Sequence, residues 1–516
     1  MSEQKDTNST IKTVSVMMLL TLIGKVLGLV RDMMMGRYFG TGPVADAFFV
    51  ASQIPRNFFD AIFASAISAS FIPVFNEYLE TRGRDEAFRL SNSFISLMTL
   101  LTLALSGVGM ALAEPLAAFQ AGGFSEETLA LCASLLRVLF PTIVFTGIAF
   151  SMVGILQSLG EFNIPALLST MSNGIIILYY VLLCGRFGVY GLAAAFLAGW
   201  AMQAVMQIPS MHRLGYRYRP ALWHEGMKKV FALMAPVMVS TWIQPINMVV
   251  STKFASGLYR DSGVSAMTYA NTLYTMLAGI LVLSVANVVF PELSRLGANH
   301  QAEDFGTLVS ASLRSLLFLL IPMTVGLMVM AGPLIRLLYA WGEWTEESTA
   351  LTSQALVFLA LGMVGYGVQN ILSRAFYAVQ SGKIPLITGL ASIAVNLILC
   401  LMLSPVMGIG GLALASSLSA TVSALLLLIP MSRTHKGLVT RRLWLDLGRM
   451  FAAALVMGGV VLAVRWGLQG VLGDGLVGRA ALTLVPVCAG VAVYFPLSWL
   501  LQVPEMRQVL GMLKRR

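Results

Sequence analysis

The sequence predicts an all-α, polytopic membrane protein of about fourteen transmembrane helices, arranged as two parallel-repeat six-helix lobes followed by a C-terminal helix pair. Three observations lead there. The 516 residues are 57% hydrophobic and only 11% charged, with a mean hydropathy of +0.80. A soluble domain carries about 25% charged residues, so this chain lacks the polar skin of a soluble enzyme, a secreted disulfide scaffold or a disordered regulator. Its apolar fraction would fill about fourteen twenty-residue spans. Long apolar runs recur from end to end without the ten-residue alternation of a barrel strand.

The elements follow in order. Span one, 11–36, has no small-residue cleavage site and reaches charged Arg31 and Asp32, so it reads as a retained helix and not as a signal peptide. Span two, 44–75, opens after Gly42-Pro43, contains Asp46, Arg56 and Asp60, and closes on Phe71-Ile72-Pro73. Spans three to six cover 90–113, 127–157, 163–185 and 188–210, with Arg137 near the start of the fourth. Spans seven to twelve cover 230–257, 263–291, 310–336, 347–378, 384–403 and 408–430. Spans thirteen and fourteen, 447–468 and 479–502, close the chain. The expected domains are 1–215, 216–440 and 441–516.

A repeat underlies the two lobes. Asn163-Ile164-Pro165-Ala166-Leu167 matches Lys383-Ile384-Pro385-Leu386-Ile387, and Gly188-Val189-Tyr190-Gly191-Leu192-Ala193 matches Gly408-Ile409-Gly410-Gly411-Leu412-Ala413 at the same offset. Ile208-Pro209 pairs with Ile429-Pro430, and Phe71-Ile72-Pro73 with Val289-Phe290-Pro291. Equivalent points are six helices apart, an even number, so the halves share one orientation across the bilayer. Duplicated bundles of this size suggest a solute carrier that rocks about the interface between its lobes, and a purely structural bundle is the plainer alternative.

Lys and Arg set the orientation. Counting each with the helix end or loop it adjoins, 23 of 34 fall on the side of the N-terminal tail, the even loops and the C-terminal tail, eight on the side of the odd loops, and three (Lys25, Arg56 and Arg137) inside helices. Both termini are therefore expected in the cytoplasm. Loops beside anionic headgroups account for the +10 net charge, and no nucleic acid is needed. Cys132, Cys184, Cys400 and Cys488 lie in remote spans, and His212, His224, His300 and His435 in or beside cytoplasmic loops. No disulfide, metal, cofactor or catalytic constellation is expected from them.

Ionisable groups inside spans cost at least ~2.5 kcal/mol each near the centre and usually face water or a partner. The first lobe is rich in them. Lys25 and Arg31, with Gly24 and Gly28 beside them, form an anion-attracting wall; Arg31 and Asp32 can equally pair at the helix end. Lys25 lies some 14 residues into its span, deep for a side chain that merely snorkels. Asp46 reads equally as a helix cap or a functional group, and Asp60 is one turn from Arg56. Arg137 is expected to snorkel or pair with a loop. The second lobe carries Lys253, Arg374, Gln244, Asn247, Asn271, Gln369, Asn370 and Asn396 and no mid-span carboxylate; Asn and Gln in spans commonly join helices. The cavity should be cationic, which favours an anionic substrate over a cationic drug. In the closing pair, Gly458 and Gly459 permit close helix contact or a groove for an acyl or isoprenoid chain.

The segment Gly24-Lys25-Val26-Leu27-Gly28-Leu29-Val30-Arg31-Asp32, with Arg37-Tyr38-Phe39-Gly40, Asp46-Ala47-Phe48-Phe49-Val50-Ala51, Ile54-Pro55 and Phe71-Ile72-Pro73-Val74-Phe75, resembles the start of the MurJ/MviN family of lipid II flippases. That family falls within the multidrug/oligosaccharidyl-lipid/polysaccharide exporter superfamily. Ser373-Arg374-Ala375-Phe376-Tyr377-Ala378 before Lys383-Ile384-Pro385 is similar to the family's second-lobe signature. The resemblance covers essentially the whole chain and implies movement of lipid II, or a related polyprenyl-diphosphate glycolipid, from inner to outer leaflet of the bacterial cytoplasmic membrane. It implies a diphosphate held by the cationic cavity, a lipid tail along helices thirteen and fourteen, and other cell-wall synthesis proteins as partners. Lys25 matches a position that is usually Arg, and Arg31, Asp32 and Asp46 match directly. The sequence departs from the family at Phe59 and Asp60, where many members carry an Arg, and at Thr272, after Tyr269-Ala270-Asn271. Lys253, Arg260 or Arg56 would substitute there.

The leading reading is a flippase working by alternating access. No Gly-x-x-x-x-Gly-Lys-Ser/Thr loop is present, so nucleotide hydrolysis is not built in. A flippase for O-antigen, capsule or another glycan shares the architecture. A membrane polyprenyl-phosphate glycosyltransferase would need an acid or base in a substantial loop, and here the loop carboxylates Glu343, Glu346 and Glu347 are not clustered with His or Lys.

Overall fold

The computed structural model describes residues 2–506 except 57, 58, 60, 242, 260, 300, 436, 437, 439, 440, 471, 472 and 474. Every regular element among them is helical. The chain runs α1 (Ser2–Phe39), α2 (Pro43–Pro55), α3 (Ala61–Ala66), α4 (Ile72–Thr81), α5 (Arg84–Ala111), α6 (Ala113–Gln120), α7 (Glu126–Leu139), α8 (Thr142–Ser158), α9 (Asn163–Leu182), α10 (Cys184–Val205) and α11 (Ile208–Arg213). It continues through α12 (Met227–Thr241), α13 (Ile243–Ser256), α14 (Gly263–Ala298), α15 (Ala302–Tyr339), α16 (Glu346–Leu361), α17 (Met363–Ala378), α18 (Lys383–Met407), α19 (Ile409–Thr434), α20 (Arg441–Gln469) and α21 (Leu476–Leu500).

Ten helices among the described residues are long and apolar enough to cross a membrane, or eleven when α16 and α17 are joined. Together with α1, the broken α2–α4 run and the α12–α13 pair, they reproduce the fourteen expected spans in order. The breaks have local causes. Between α3 and α4 a π-helical turn, Ile67–Phe71, intervenes, and the Ser70 hydroxyl donates back to the Ala66 carbonyl. α16 and α17 meet at a 46° bend. There a Cβ on Gly362 would sit 2.7 Å from the Ser417 Cα, so only glycine lets α19 approach, and Ser417 Oγ donates to the Phe358 carbonyl at 2.6 Å.

The internal repeat is visible in the backbone. Gly188 (φ 55°, ψ −144°) and Gly408 (φ 56°, ψ −130°) occupy the same left-handed conformation at equivalent points, one that side-chain-bearing residues rarely adopt.

Two compact units divide the chain, Met1–Ser265 and Ala266–Arg516. The first has a core around Phe71, Phe75, Leu90, Phe94 and Val230, with Phe71 stacked on Phe94 at 4.3 Å between ring centroids. In the second, α15 packs with α20 and α21 through Phe318, Met450, Ala453, Met457 and Tyr494, and Tyr494 OH donates to the Phe318 carbonyl at 2.8 Å. Gly458 makes the close helix contact expected of it, since a Cβ there would stand 2.8 Å from Val325; Gly459 faces nothing within 4 Å.

The basic segment after α11 is fastened to α5. The buried Asn92 carboxamide oxygen accepts from Tyr216 OH at 2.7 Å and from the Arg219 amide at 3.2 Å. Burial pushes the Tyr216 phenol well up from its ordinary range, so it stays protonated and donates. Replacing Asn92 with Ala strands both donors and should cost roughly 1–3 kcal/mol. It should also speed tryptic cleavage after exposed Arg217, read by timed proteolysis against the parent chain.

Candidate functional site

On α1, Gly24 and Gly28 open the groove into which α9 settles. A Cβ on Gly24 would lie 3.2 Å from Ser169 Cβ, and one on Gly28 3.4 Å from Asn173 Nδ2. Asn173 uses that space twice: its amide nitrogen donates to the Gly24 carbonyl at 3.1 Å, and its oxygen accepts from Arg31 Nη1 at 3.1 Å. A side-chain amide that satisfies both a backbone carbonyl and a guanidinium ties two helices together where apolar contact alone would leave them free to slide.

Arg31 is held on its remaining sides as well. Its Nε and Nη2 donate to a single Asp32 oxygen at 2.9 and 2.7 Å, and its guanidinium lies 5.6 Å from the Phe196 ring centroid, close enough for a cation–π attraction. The local pairing of Arg31 with Asp32 is thus realised. Six residues along an α-helix turn a side chain about 120° and advance it about 9 Å. Lys25 and Arg31 therefore do not share a face: Arg31 is half-buried and Lys25 exposed. Among the described residues no hydrogen bond or ion pair engages the Lys25 ammonium.

Asp46 is fully buried and acts on a helix other than its own. One carboxylate oxygen accepts from the Val264 amide at 3.0 Å and the other from the Ser265 amide at 2.7 Å. These amides belong to the first turn of α14, where N–H groups have no intrahelical acceptor and the helix dipole favours negative charge. Nearby connections are fastened in kind. Asp261 takes the Ser125 hydroxyl at 2.7 Å and its amide at 3.2 Å, Gly123 and Gly257 meet backbone to backbone, and Thr252 donates to Gln53 at 3.3 Å.

The other expected residues are dispersed. Arg56 is exposed at the end of α2. Lys253, on α13, points its ammonium at the Phe119 ring, 5.2 Å away. Arg260 and Asp60 lie outside the described residues. In the second unit, Asn271 is half-buried on α14, and Arg374 on α17 donates to Asn287 at 3.1 Å. Arg137 pairs with Glu114 at 2.7 Å. Asn173 and Asp261 escaped the reading of charges within spans, although the polar run Ser169, Thr170, Ser172 and Asn173 in an otherwise apolar span was a usable signal.

The comparisons follow this architecture. A family model described as "Lipid II flippase MurJ" matches residues 35–479. A Rhizobium meliloti protein named "Probable lipid II flippase MurJ" is 30% identical over 498 residues, covering 93% of this chain and 91% of its own. The solved structure titled "Lipid II flippase MurJ, inward closed conformation" superposes with a TM-score of 0.80 at 26% identity, covering 93% of this chain and 97% of its own. An inward-facing multidrug resistance MATE family transporter of the MOP superfamily shares the fold at a TM-score of 0.66 and 17% identity, over 82% of this chain and 99% of its own. On the family match, which spans most of its length, this chain belongs to the MurJ lipid II flippase family.

Proposed function

We propose that this chain is a lipid II flippase, a transporter and not an enzyme, which carries the undecaprenyl-diphosphate-linked peptidoglycan precursor from the inner to the outer leaflet by alternating access. Family membership supports the substrate. The observation that carries the site is the contrast along α1: Arg31 is neutralised by Asp32 and held by Asn173, whereas Lys25 is exposed. An ammonium on an exposed face can meet a diphosphate without first breaking an ion pair. Lys25 is the primary anion contact in this reading, with Arg56, Lys253, Arg260, Asn271 and Arg374 as further contacts, while Arg31, Asp32 and Asp46 position helices. The two six-helix lobes, 1–215 and 216–440, carry the exchange between leaflets, and 441–516 accompany the lipid tail. The protein is multi-pass, with both termini in the cytoplasm, and cell-wall synthesis proteins are its functional neighbours.

Lys25→Gln tests the site. In cells whose only lipid II flippase is this chain, exposure of lipid II at the outer leaflet should fall about fivefold or more, with thermal unfolding of the purified variant unchanged. Flipping at the parental rate would remove Lys25 from the site. Lipid II that stays exposed when the chain is depleted, while another polyprenyl-linked glycan accumulates, would transfer the reading to that glycan.

A further inference from the structure

Within the second unit, a cavity of about 450 Å³ opens where α15 and α20 end and α16 and α21 begin. Three arginines line it, Arg336, Arg465 and Arg479, and Glu346 is the one carboxylate among its described lining residues. In the orientation set by the basic loops, these helix ends face away from the cytoplasm. Only eight of the 34 Lys and Arg adjoin that side, and three of the eight converge here. Scattered cations at a disfavoured side need no explanation beyond solvation, but cations gathered into one cavity do.

The arginines are oriented and not exhausted. Arg479 is fixed by the Ala340 carbonyl at 2.8 Å and by the Trp341 ring at 5.3 Å, neither of which neutralises its charge. Arg465 reaches the Val329 carbonyl only at 3.4 Å. Glu346 is taken up by Arg336 at 2.6 Å, so among the described lining residues about two positive charges stay uncompensated. Ser353 adds a hydroxyl with no hydrogen-bond partner among the described residues. Beside the cavity, Trp466 near the end of α20 is 82% exposed and Val477 at the start of α21 is 81% exposed. That pairing suits the lipid headgroup boundary, with an aromatic ring at headgroup depth and apolar surface for chains.

We propose that this cavity binds the phosphate-bearing headgroup of an anionic membrane lipid, with its acyl chains along the outward faces of α20 and α21. Arg465 and Arg479 hold the phosphate oxygens, Ser353 donates to one of them, and Glu346 limits affinity so that the lipid exchanges. A doubly charged headgroup matches the uncompensated charge better than a zwitterionic one.

Native mass spectrometry of the purified full-length chain in detergent, titrated with cardiolipin, tests this. The R465Q/R479Q variant should bind cardiolipin roughly tenfold more weakly, and Glu346→Gln should bind it several-fold more tightly, a gain that a misfolded protein does not produce. Phosphatidylcholine binding should be the same in all three. Equal cardiolipin affinity across the variants would overturn the proposal. Inorganic phosphate whose binding depends on these arginines, with cardiolipin binding independent of them, would also overturn it by making the cavity a site for a free anion.

Discussion

Asp46→Ala should destabilise the first unit by about 3 kcal/mol or more. The carboxylate is fully buried and each oxygen takes one amide from the first turn of α14. Buried hydrogen bonds contribute roughly 0.5–1.5 kcal/mol each, and each buried donor left without a partner adds a desolvation cost of about 1–3 kcal/mol. Alanine also leaves the first-turn amides of α14 without the acceptor they lack within their own helix. Asp46→Asn keeps the shape and one acceptor oxygen, so it should lose about half as much. Urea or thermal unfolding of the two purified variants gives the comparison. Equal, small losses for both would mean that water replaces the carboxylate and that α14 does not depend on the cap.

Asp46 also shows where sequence reasoning reaches and where it stops. A carboxylate after Gly42-Pro43 reads as a cap for its own helix, because capping is local in sequence. The amides it satisfies are more than two hundred residues away, and no spacing rule links them. Long-range geometry that is enforced by backbone sterics is easier to see. Gly188 and Gly408 stand at one repeat offset, and both adopt the same left-handed conformation, because a residue without a Cβ is needed there. The span order was legible for a related reason: crossing a bilayer demands about twenty apolar residues whatever the tertiary contacts. The helix breaks were less legible. Gly362 looks like any other glycine until Ser417 is placed against it, and its closest neighbours come from α19. Charge count alone ranked Lys25 and Arg31 as equals. The difference between them arises from Asn173, a neutral residue on another helix, which draws Arg31 inward while Asp32 closes on it.

That difference leads to the second large effect. Arg31→Ala removes the partner of Asp32, whose side chain is only 12% exposed, and leaves Asn173 without its donor. An unpaired charge in such a place costs roughly 3–5 kcal/mol, whereas replacing both members of a buried pair by well-packed apolar groups is often neutral or stabilising. The double variant R31M/D32L should therefore recover most of the loss, and unfolding measurements on the two single variants and the double one yield the coupling directly. The same double variant separates positioning from binding. If Arg31 serves only to hold α1 against α9, a refastened but uncharged pair flips lipid II at close to the parental rate, and Lys25→Gln remains the damaging change. A double variant that is as stable as the parent yet inactive would place the Arg31 guanidinium on the substrate, because stability would then have been restored without the charge that the substrate requires.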